Sequence, residues 1–419
     1  MSYLWIVLAT VFVTLIIQNL VTGEKKTERR ITHLYGVRDG RFLRAMGSLL
    51  GPPVIEGNDV RELVNGEQIF PAMLDAVRSA RRTITFETFI YWSGRIGRQF
   101  AEALAERARA GVKVHVLLDW VGTSKLEDEA VDLMREAGVE VEKYHPLRWY
   151  SLGRVNNRTH RKLLVVDGSI GFTGGVGIAD KWNGAARNRD EWRDSHYRVE
   201  GPVVAHMQAA FMDNWMKSRG EVLHGDDYFP PLASRGEHVA QMFKSSSTEG
   251  SESVRLMYLL TIASAETSIL LANSYFVPDD LSVETIVAAA NRGVHIEIIV
   301  PGKEIDTEIT RKASRSRWGK LLEAGVEIYE FQPTMFHCKT VIVDGTLVSV
   351  GSTNFDSRSF RLNDEANLNI HDQEFAKRQS AIFEADKARS RRISLQEWRN
   401  RPLAEKLMEH AAGLLRSQL

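Results

Sequence analysis

The chain has 419 residues and carries 54 Lys+Arg against 54 Asp+Glu, so its formal net charge is zero. That balance weighs against a dedicated nucleic-acid binder, which needs a basic excess, and a hydrophobic fraction of 43% excludes wholesale disorder. Two domains or two fused halves are expected at this length, and the single cysteine, Cys338, excludes an intrachain disulfide and a cysteine-based zinc site.

Residues 1–22 read as a retained membrane anchor. Tyr3 to Ile17 contains no charged residue, and the stretch to Leu20 rises roughly 27 Å as a helix, about the hydrocarbon thickness of a bilayer. Tyr3 and Trp5 stand where interfacial aromatics belong. A cleavable signal peptide is the competing reading, but Met1-Ser2 offers no basic side chain and no small-residue cleavage site follows. Lys25, Lys26, Arg29 and Arg30 flank the span on its C-terminal side only, which directs the bulk of the chain to the cytoplasm. Residues 23–56 form a basic linker closed by Gly51-Pro52-Pro53. Within it Arg38, Arg41 and Arg44 alternate with Phe42, Leu43 and Met46, a segment either laid on an anionic lipid surface or solvated.

From residue 57 the pattern alternates between strands and helices, as in an α/β sandwich. Thr83 to Tyr91 reads as a strand, Arg98 to Arg109 as a helix, Val112 to Leu118 as a buried strand, and Gly138 to Tyr144 as another. The order then returns. Thr267 to Asn273 matches the first strand, Gly293 to Val300 matches Gly111 to Leu118, and Ala324 to Glu330 matches Ala137 to Lys143. Two fused halves follow, residues 57–225 and 226–400, joined through the Gly-, Pro- and Ser-rich stretch from Arg219 to Ser247. Residues 401–419 add a C-terminal helix. Its amphipathic stretch from Leu403 to Leu415 is expected to pack on the body, with membrane contact the competing reading.

Each half carries one copy of the same constellation. His160-Arg161-Lys162 runs through four apolar residues to Asp167-Gly168, and His337-Cys338-Lys339 runs through four residues to Asp344-Gly345. The offset, 337 − 160 = 177, agrees with the repeat. On a strand, residues i and i+2 share a face, so His and Lys project side by side while Arg161 and Cys338 point away. The Asp-Gly pairs are turn signals. A lone His-x-Lys carries little weight, but two copies at matched points of a repeat do. Two histidines meeting between the halves supply a nucleophile and a general acid. Two lysines supply fixed positive charge to phosphoryl oxygens. No P-loop points to a nucleotide and no carboxylate cluster to a metal pair. The chemistry expected is displacement at a phosphodiester, with no cofactor and no metal.

The doubled His-x-Lys-x4-Asp resembles the phospholipase D superfamily, and bacterial cardiolipin synthases in particular. Gly351-Ser352-Thr353-Asn354 resembles the family's Gly-Ser-x-Asn extension, and the resemblance runs over roughly residues 57 to 400. It includes Trp192-Arg193-Asp194 and Asn363-Asp-Glu365-Ala-Asn367. The first copy departs from the pattern, with Gly174-Gly175-Val176-Gly177 and a glycine at the Asn position. The resemblance implies two phospholipase D-like αβα halves sharing one active site. It also implies a phosphatidyl group passed through a phosphohistidine on His160 or His337, phosphatidylglycerol as donor and acceptor, and a place in the bacterial inner membrane. Lys162, Lys339, Ser352 and Asn354, with Gly174 and Gly175, would hold the phosphate. Asp194 and Glu365 would orient the histidines. Asp167 and Asp344 complete the motif, in catalysis or in fixing the turn. Two readings compete: a hydrolytic phosphodiesterase or membrane-tethered nuclease, and a non-catalytic lipid-binding scaffold. The sequence leaves the oligomeric state open.

Overall fold

The computed structural model describes residues 2–20, 30–146, 156–246, 253–415 and 418. The basic residues Lys25, Lys26 and Arg29 lie outside the described residues. So do Trp149 and Tyr150, which the sequence places in a basic-aromatic loop ahead of the first motif.

The strands are, in chain order, β1 (Ile55–Val64), β2 (Thr83–Thr88), β3 (Lys113–Asp119), β4 (Glu140–Tyr144), β5 (Leu163–Val166), β6 (Ile170–Gly174) and β7 (Ser195–Glu200). There follow β8 (His238–Ser245), β9 (Ser268–Asn273), β10 (Phe276–Val277), β11 (His295–Pro301), β12 (Glu327–Phe331), β13 (Lys339–Val343), β14 (Leu347–Gly351), β15 (Phe355–Asp356), β16 (Glu365–His371) and β17 (Ser390–Ile393). Outward from the middle the sheet reads β1-β7-β6-β5-β2-β3-β4 on one side and β8-β16-β14-β13-β9-β11-β12-β17 on the other. The first seven positions on each side correspond, parallel strands with parallel and antiparallel with antiparallel. The repeat seen in the sequence is therefore a repeat of topology.

Two features differ from expectation. The join between the halves is itself part of the sheet, because β1 pairs antiparallel with β8 and makes one fifteen-stranded sheet. β8 itself lies within the stretch read as a join. Its alternation is short, and the flanking Gly, Pro and Ser conceal it. The linker also differs. Gly40–Leu50 is a helix capped by the Asp39 carboxylate, and Phe42, Met46 and Leu50 are buried against the second half beside Met257 and Tyr258. Their i, i+4, i+8 spacing makes one apolar stripe, which the body covers. Arg38 donates to the Asp344 carbonyl at 2.7 Å and to Thr346 Oγ1 at 3.0 Å, so the segment is docked on protein. Ser2–Leu20 forms a 19-residue helix without a charged residue, and its described side chains from Tyr3 to Val13 are exposed. Among the described residues no helix is long and apolar enough to cross a membrane.

Side-chain alternation on the buried strands builds three cores. Leu164 and Val166 face a first-half core under the helices Gly66–Ser79 and Arg95–Arg109. Val341 and Val343 face the equivalent core of the second half. The opposite faces, with Leu163, Val165, Ile342 and Val350, meet in a shared central core with the helices Val204–Arg219 and Gln373–Lys387. Burial of this extent is the main source of stability for a chain of this size.

Asp167 and Asp344 belong to this framework. Each sits at φ +51° in the turn after its strand. The Asp167 carboxylate accepts the backbone N–H groups of Arg81, Arg82 and Thr83 at 2.7–3.1 Å. Asp344 accepts those of Glu266, Thr267 and Ser268 at 2.8–2.9 Å. Both carboxylates therefore fasten the start of the neighbouring strand, β2 or β9. They stand at the end of β5 or β13 remote from the histidine, roughly 20 Å away along an extended chain. Their part in the motif is structural; they do not join the histidines.

Candidate active site

The two motif strands are crossed by backbone bridges between the halves. His160 donates its N–H to the Asp364 carbonyl at 2.9 Å, and Asp364 donates to the Arg158 carbonyl at 2.8 Å. In the same way His337 donates to the Arg193 carbonyl at 2.8 Å, and Arg193 to the Met335 carbonyl at 2.9 Å. Each bridge places a carboxylate of one half beside the histidine of the other. His160 Nδ1 meets both Glu365 oxygens at 2.9 and 3.0 Å. His337 Nδ1 meets Asp194 Oδ2 at 2.7 Å. An ionised carboxylate only accepts, so each imidazole donates from Nδ1 and its Nε2 carries the lone pair.

The lysines close the site. Lys339 Nζ donates to the His337 carbonyl at 2.7 Å and to Ser274 Oγ at 2.8 Å, and lies 3.3 Å from His337 Nε2. Lys162 Nζ donates to the His160 carbonyl at 2.7 Å and sits 5.8 Å from the centre of the Phe89 ring. Phe89 packs edge-on to His160, and Trp182, Trp192 and Tyr275 surround His337. These rings lower the local dielectric and strengthen every charge interaction among them.

The charge states follow from burial. It pushes His160 down to about 4, with Lys162 and Lys339 adding to the effect and Glu365 opposing it. Burial and Lys339 lower His337 as well, against Asp194. Burial opposes the charge on Asp194 and Glu365, yet their histidines and the lysines hold both below the usual carboxylate range. Each dyad is thus a neutral imidazole on an ionised carboxylate. Burial also lowers both lysines, Lys162 to about 7, and each lysine is influenced by charges of the opposite half.

An anion entering the site should therefore bring a proton with it. Above pH 7 the free Lys162 loses its charge, and binding must restore it. Sulfate, a dianion throughout, is expected to bind progressively more weakly from pH 6 to pH 9, approaching about tenfold per pH unit at the alkaline end. Calorimetry in buffers of different ionisation heat reads this as proton uptake. Affinity that stays flat across that range rules the idea out.

Ser352 and Asn354, expected on the phosphate, are both bonded to residues that support the histidines and lysines. Ser352 Oγ donates to Glu365 Oε2 at 2.5 Å, and Ser359 Oγ donates to Glu365 Oε1 at 2.7 Å. Asn354 Oδ1 accepts from Ser274 Oγ at 2.8 Å, and so holds the hydroxyl that receives Lys339. The first half solves the same problem differently. Gly174, Gly175 and Gly177 stand 177 residues before Gly351, Ser352 and Asn354. A Cβ on Gly175 would lie 2.2 Å from Asp194 Oδ1, so the carboxylate itself fills the place of the serine. Trp182 Nε1 donates to Asp194 Oδ2 at 2.9 Å in place of the hydroxyl. A Cβ on Gly177 would lie 2.8 Å from Ile90 Cβ, which leaves no room for asparagine. The Gly175 N–H is spent on the Ser195 carbonyl at 3.1 Å. The glycines of this loop are thus requirements of packing.

Several supporting residues escaped the sequence reading: Ser274, Trp182, Ser359, and the pair Thr159–Glu87. Thr159 Oγ1 donates to Glu87 Oε1 at 2.5 Å, one residue before His160, and Asn214 Nδ2 donates to the same oxygen at 2.8 Å. Burial raises Glu87 to about 7, against Arg161 and these two donors. A carboxylate in the middle of an apolar strand was the available signal. Arg161 does point away from His160, as strand alternation requires. It ties the Ala210 and Ser245 carbonyls and Asp213 together.

Comparison with known proteins places this geometry. The family model described as a cardiolipin synthase, phospholipase D-like domain, matches residues 73–215 and 258–387, one motif in each match. Cardiolipin synthase 2 of Bacillus anthracis is 34% identical over 360 residues, 85% of this chain and 70% of that protein. Cardiolipin synthase A of Pseudomonas syringae pv. syringae is 33% identical over 361 residues, 85% of this chain and 74% of that protein. Among solved structures, the phosphatidylserine synthase of Haemophilus influenzae Rd KW20 shares the fold with a TM-score of 0.69 at 14% identity, covering 91% of this chain and all of that one. A doubled motif, a topology repeated about β1 and β8, and this identity over most of the chain lead to one conclusion: the chain belongs to the cardiolipin synthase family of phospholipase D-like proteins.

Proposed function

We propose that this chain is a phosphatidyltransferase that makes cardiolipin from two molecules of phosphatidylglycerol and releases glycerol. The observation that carries the reading is the crossed pair of dyads, two neutral imidazoles each braced by a carboxylate of the opposite half. In the first step Nε2 of one histidine attacks phosphorus and the P–O bond to glycerol breaks. The other histidine, which takes up a proton as the anionic phosphodiester enters, gives that proton to the departing alkoxide and returns to the neutral state. In the second step that histidine, now neutral, takes the proton from a hydroxyl of a second phosphatidylglycerol. The hydroxyl oxygen forms the new P–O bond and the P–N bond breaks. Lys162 and Lys339 offset the negative charge that builds on the phosphoryl oxygens. The first histidine leaves unprotonated, ready for the next turnover.

Several lines support a membrane setting. The substrate is a lipid, Ser2–Leu20 is an uncharged helix of 19 residues, and the basic residues cluster after it. We read residues 1–22 as a single-pass anchor in a bacterial cytoplasmic membrane, with the catalytic halves on the cytoplasmic side and the division near residues 225 and 226. The test is turnover of phosphatidylglycerol in detergent micelles by the full chain. Cardiolipin with an equal amount of glycerol is expected. Phosphatidic acid without cardiolipin would make the protein a hydrolase; with no lipid product, cleavage of DNA would make it a nuclease and its absence would leave the scaffold reading.

A further inference from the structure

The C-terminal helix Leu403–Leu414 is mounted with its apolar side outward. Leu403, Leu407 and Leu414 fall on one stripe at 100° per residue, and their exposures are 72%, 62% and 73%. The opposite face is the one that packs, and it packs through charge. Glu409, 3% exposed, receives Arg315 at 2.9 Å and Arg401 at 2.7 Å, while Ala412 sits against Val277 and Ala313. A helix held by a buried ion pair with leucines facing out is inverted for a water-exposed surface.

The charges around the stripe indicate what covers it. Lys406 and His410 flank it on one side. On the other, a groove of about 500 Å³ is lined by six basic residues, Lys303 and Lys312 among them, against four acidic ones, and Met408 forms part of its wall. Apolar residues outward with cations at their margin suit the boundary of an anionic bilayer. Position agrees. Beyond the helix, Gln418 accepts from Asn156 Nδ2 at 3.3 Å, and Arg358 reaches both the Asn156 and the Gln418 carbonyls, at 3.0 and 3.4 Å. Asn156 lies four residues before His160, so the chain leaving the helix is tied to the segment that leads into the first motif.

We propose that Leu403–Leu414 is an interfacial helix that lies in the surface of an anionic phospholipid bilayer, inserts Leu403, Leu407 and Leu414, and sets the site's mouth at headgroup level. The occupant is inferred on the proposed lipid function; the helix orientation is independent of it. A substrate could then offer its phosphate to His160 while its acyl chains stay in the bilayer.

The test uses the full chain in phosphatidylglycerol vesicles, with an environment-sensitive fluorophore on Leu407→Cys. A control carries the same label on Lys377→Cys, on the solvent-facing side of the helix Gln373–Lys387. The native Cys338 is buried and its thiol pushed up, so it should not compete for label. The label at 407 should shift to the blue and be quenched by lipids brominated on their acyl chains, and the label at 377 should not. Adding Leu403→Glu and Leu414→Glu to the labelled chain should cut that quenching about tenfold, since each leucine loses its transfer to hydrocarbon. Equal quenching at 407 and 377 would overturn the proposal. So would energy transfer between labelled copies in place of quenching, which would make the face a contact between two chains. Turnover in micelles without quenching at 407 removes the docking helix and keeps the function. Quenching without turnover keeps the helix and removes the function.

Discussion

His160→Ala and His337→Ala are each expected to lower phosphatidylglycerol turnover by at least about 10⁴-fold, because each removes one of two groups that act in series. The two variants should nonetheless differ. Loss of the nucleophile leaves no covalent intermediate. Loss of the partner leaves a nucleophile that still displaces a good leaving group but cannot pass the phosphatidyl group on. A lipid analogue with an activated leaving group, followed by acid quench and mass spectrometry, should therefore show phosphohistidine in one variant and not in the other. Retained activity in both variants would refute the mechanism. Thermal melting close to the parent is expected, since both imidazoles sit at the site and not in the three apolar cores.

The second large effect concerns the carboxylates. Glu365→Gln and Asp194→Asn keep size and shape but can turn an amide N–H toward Nδ1. The imidazole must then either lose its bond or present Nε2–H instead of the lone pair. A fall of about 10²–10⁴-fold in kcat with a much smaller change in KM is expected for each. The two should not be equal in stability. Glu365 also receives Ser352 and Ser359, whereas Asp194 receives Trp182 and its own strand's Ser195 N–H at 2.8 Å. Glu365→Gln disturbs a network of hydroxyls that can rotate. Asp194→Asn disturbs an indole fixed by packing, and should cost more in a urea titration. Equal kcat and KM changes in both variants would instead point to general loosening of the fold.

The sequence made the chemistry legible because the chemistry is local. His160 and Lys162, or His337 and Lys339, sit two apart on a strand, and the period of two puts them on one face without help from the rest of the chain. The repeat was legible for the same reason, since each strand–helix unit carries its own pattern. What lay beyond reach is set by contacts across hundreds of residues. Nothing in the order of residues says that Glu365 serves His160 and Asp194 serves His337. Strand bridges at Thr159–Asp364 and Arg193–Phe336 decide that. Read along the chain, Ser352 and Asn354 suggest phosphate ligands, and only the fold shows their bonds to Glu365 and Ser274. Gly177 looks like a lost donor until Ile90 is seen to fill the space. β8 was hidden by its flanks, and an amphipathic pattern at the C-terminus could not say which side faces out.

The crossing of the dyads ties the two copies together in their history as well as in their chemistry. Once each histidine depends on an acid encoded in the other copy, neither copy is free to drift alone. A shorter acid in the first half alters the base of the second, and the second can tolerate it only if something in the first takes up the space. Asp194, Gly175 and Trp182 form such a matched set, answering Glu365, Ser352 and Ser359 in the other copy. The two sites differ in their supporting residues and still hold the same group, an imidazole on a carboxylate of the opposite half. The halves repeat one topology, and the exchange of partners between them makes each site the work of both.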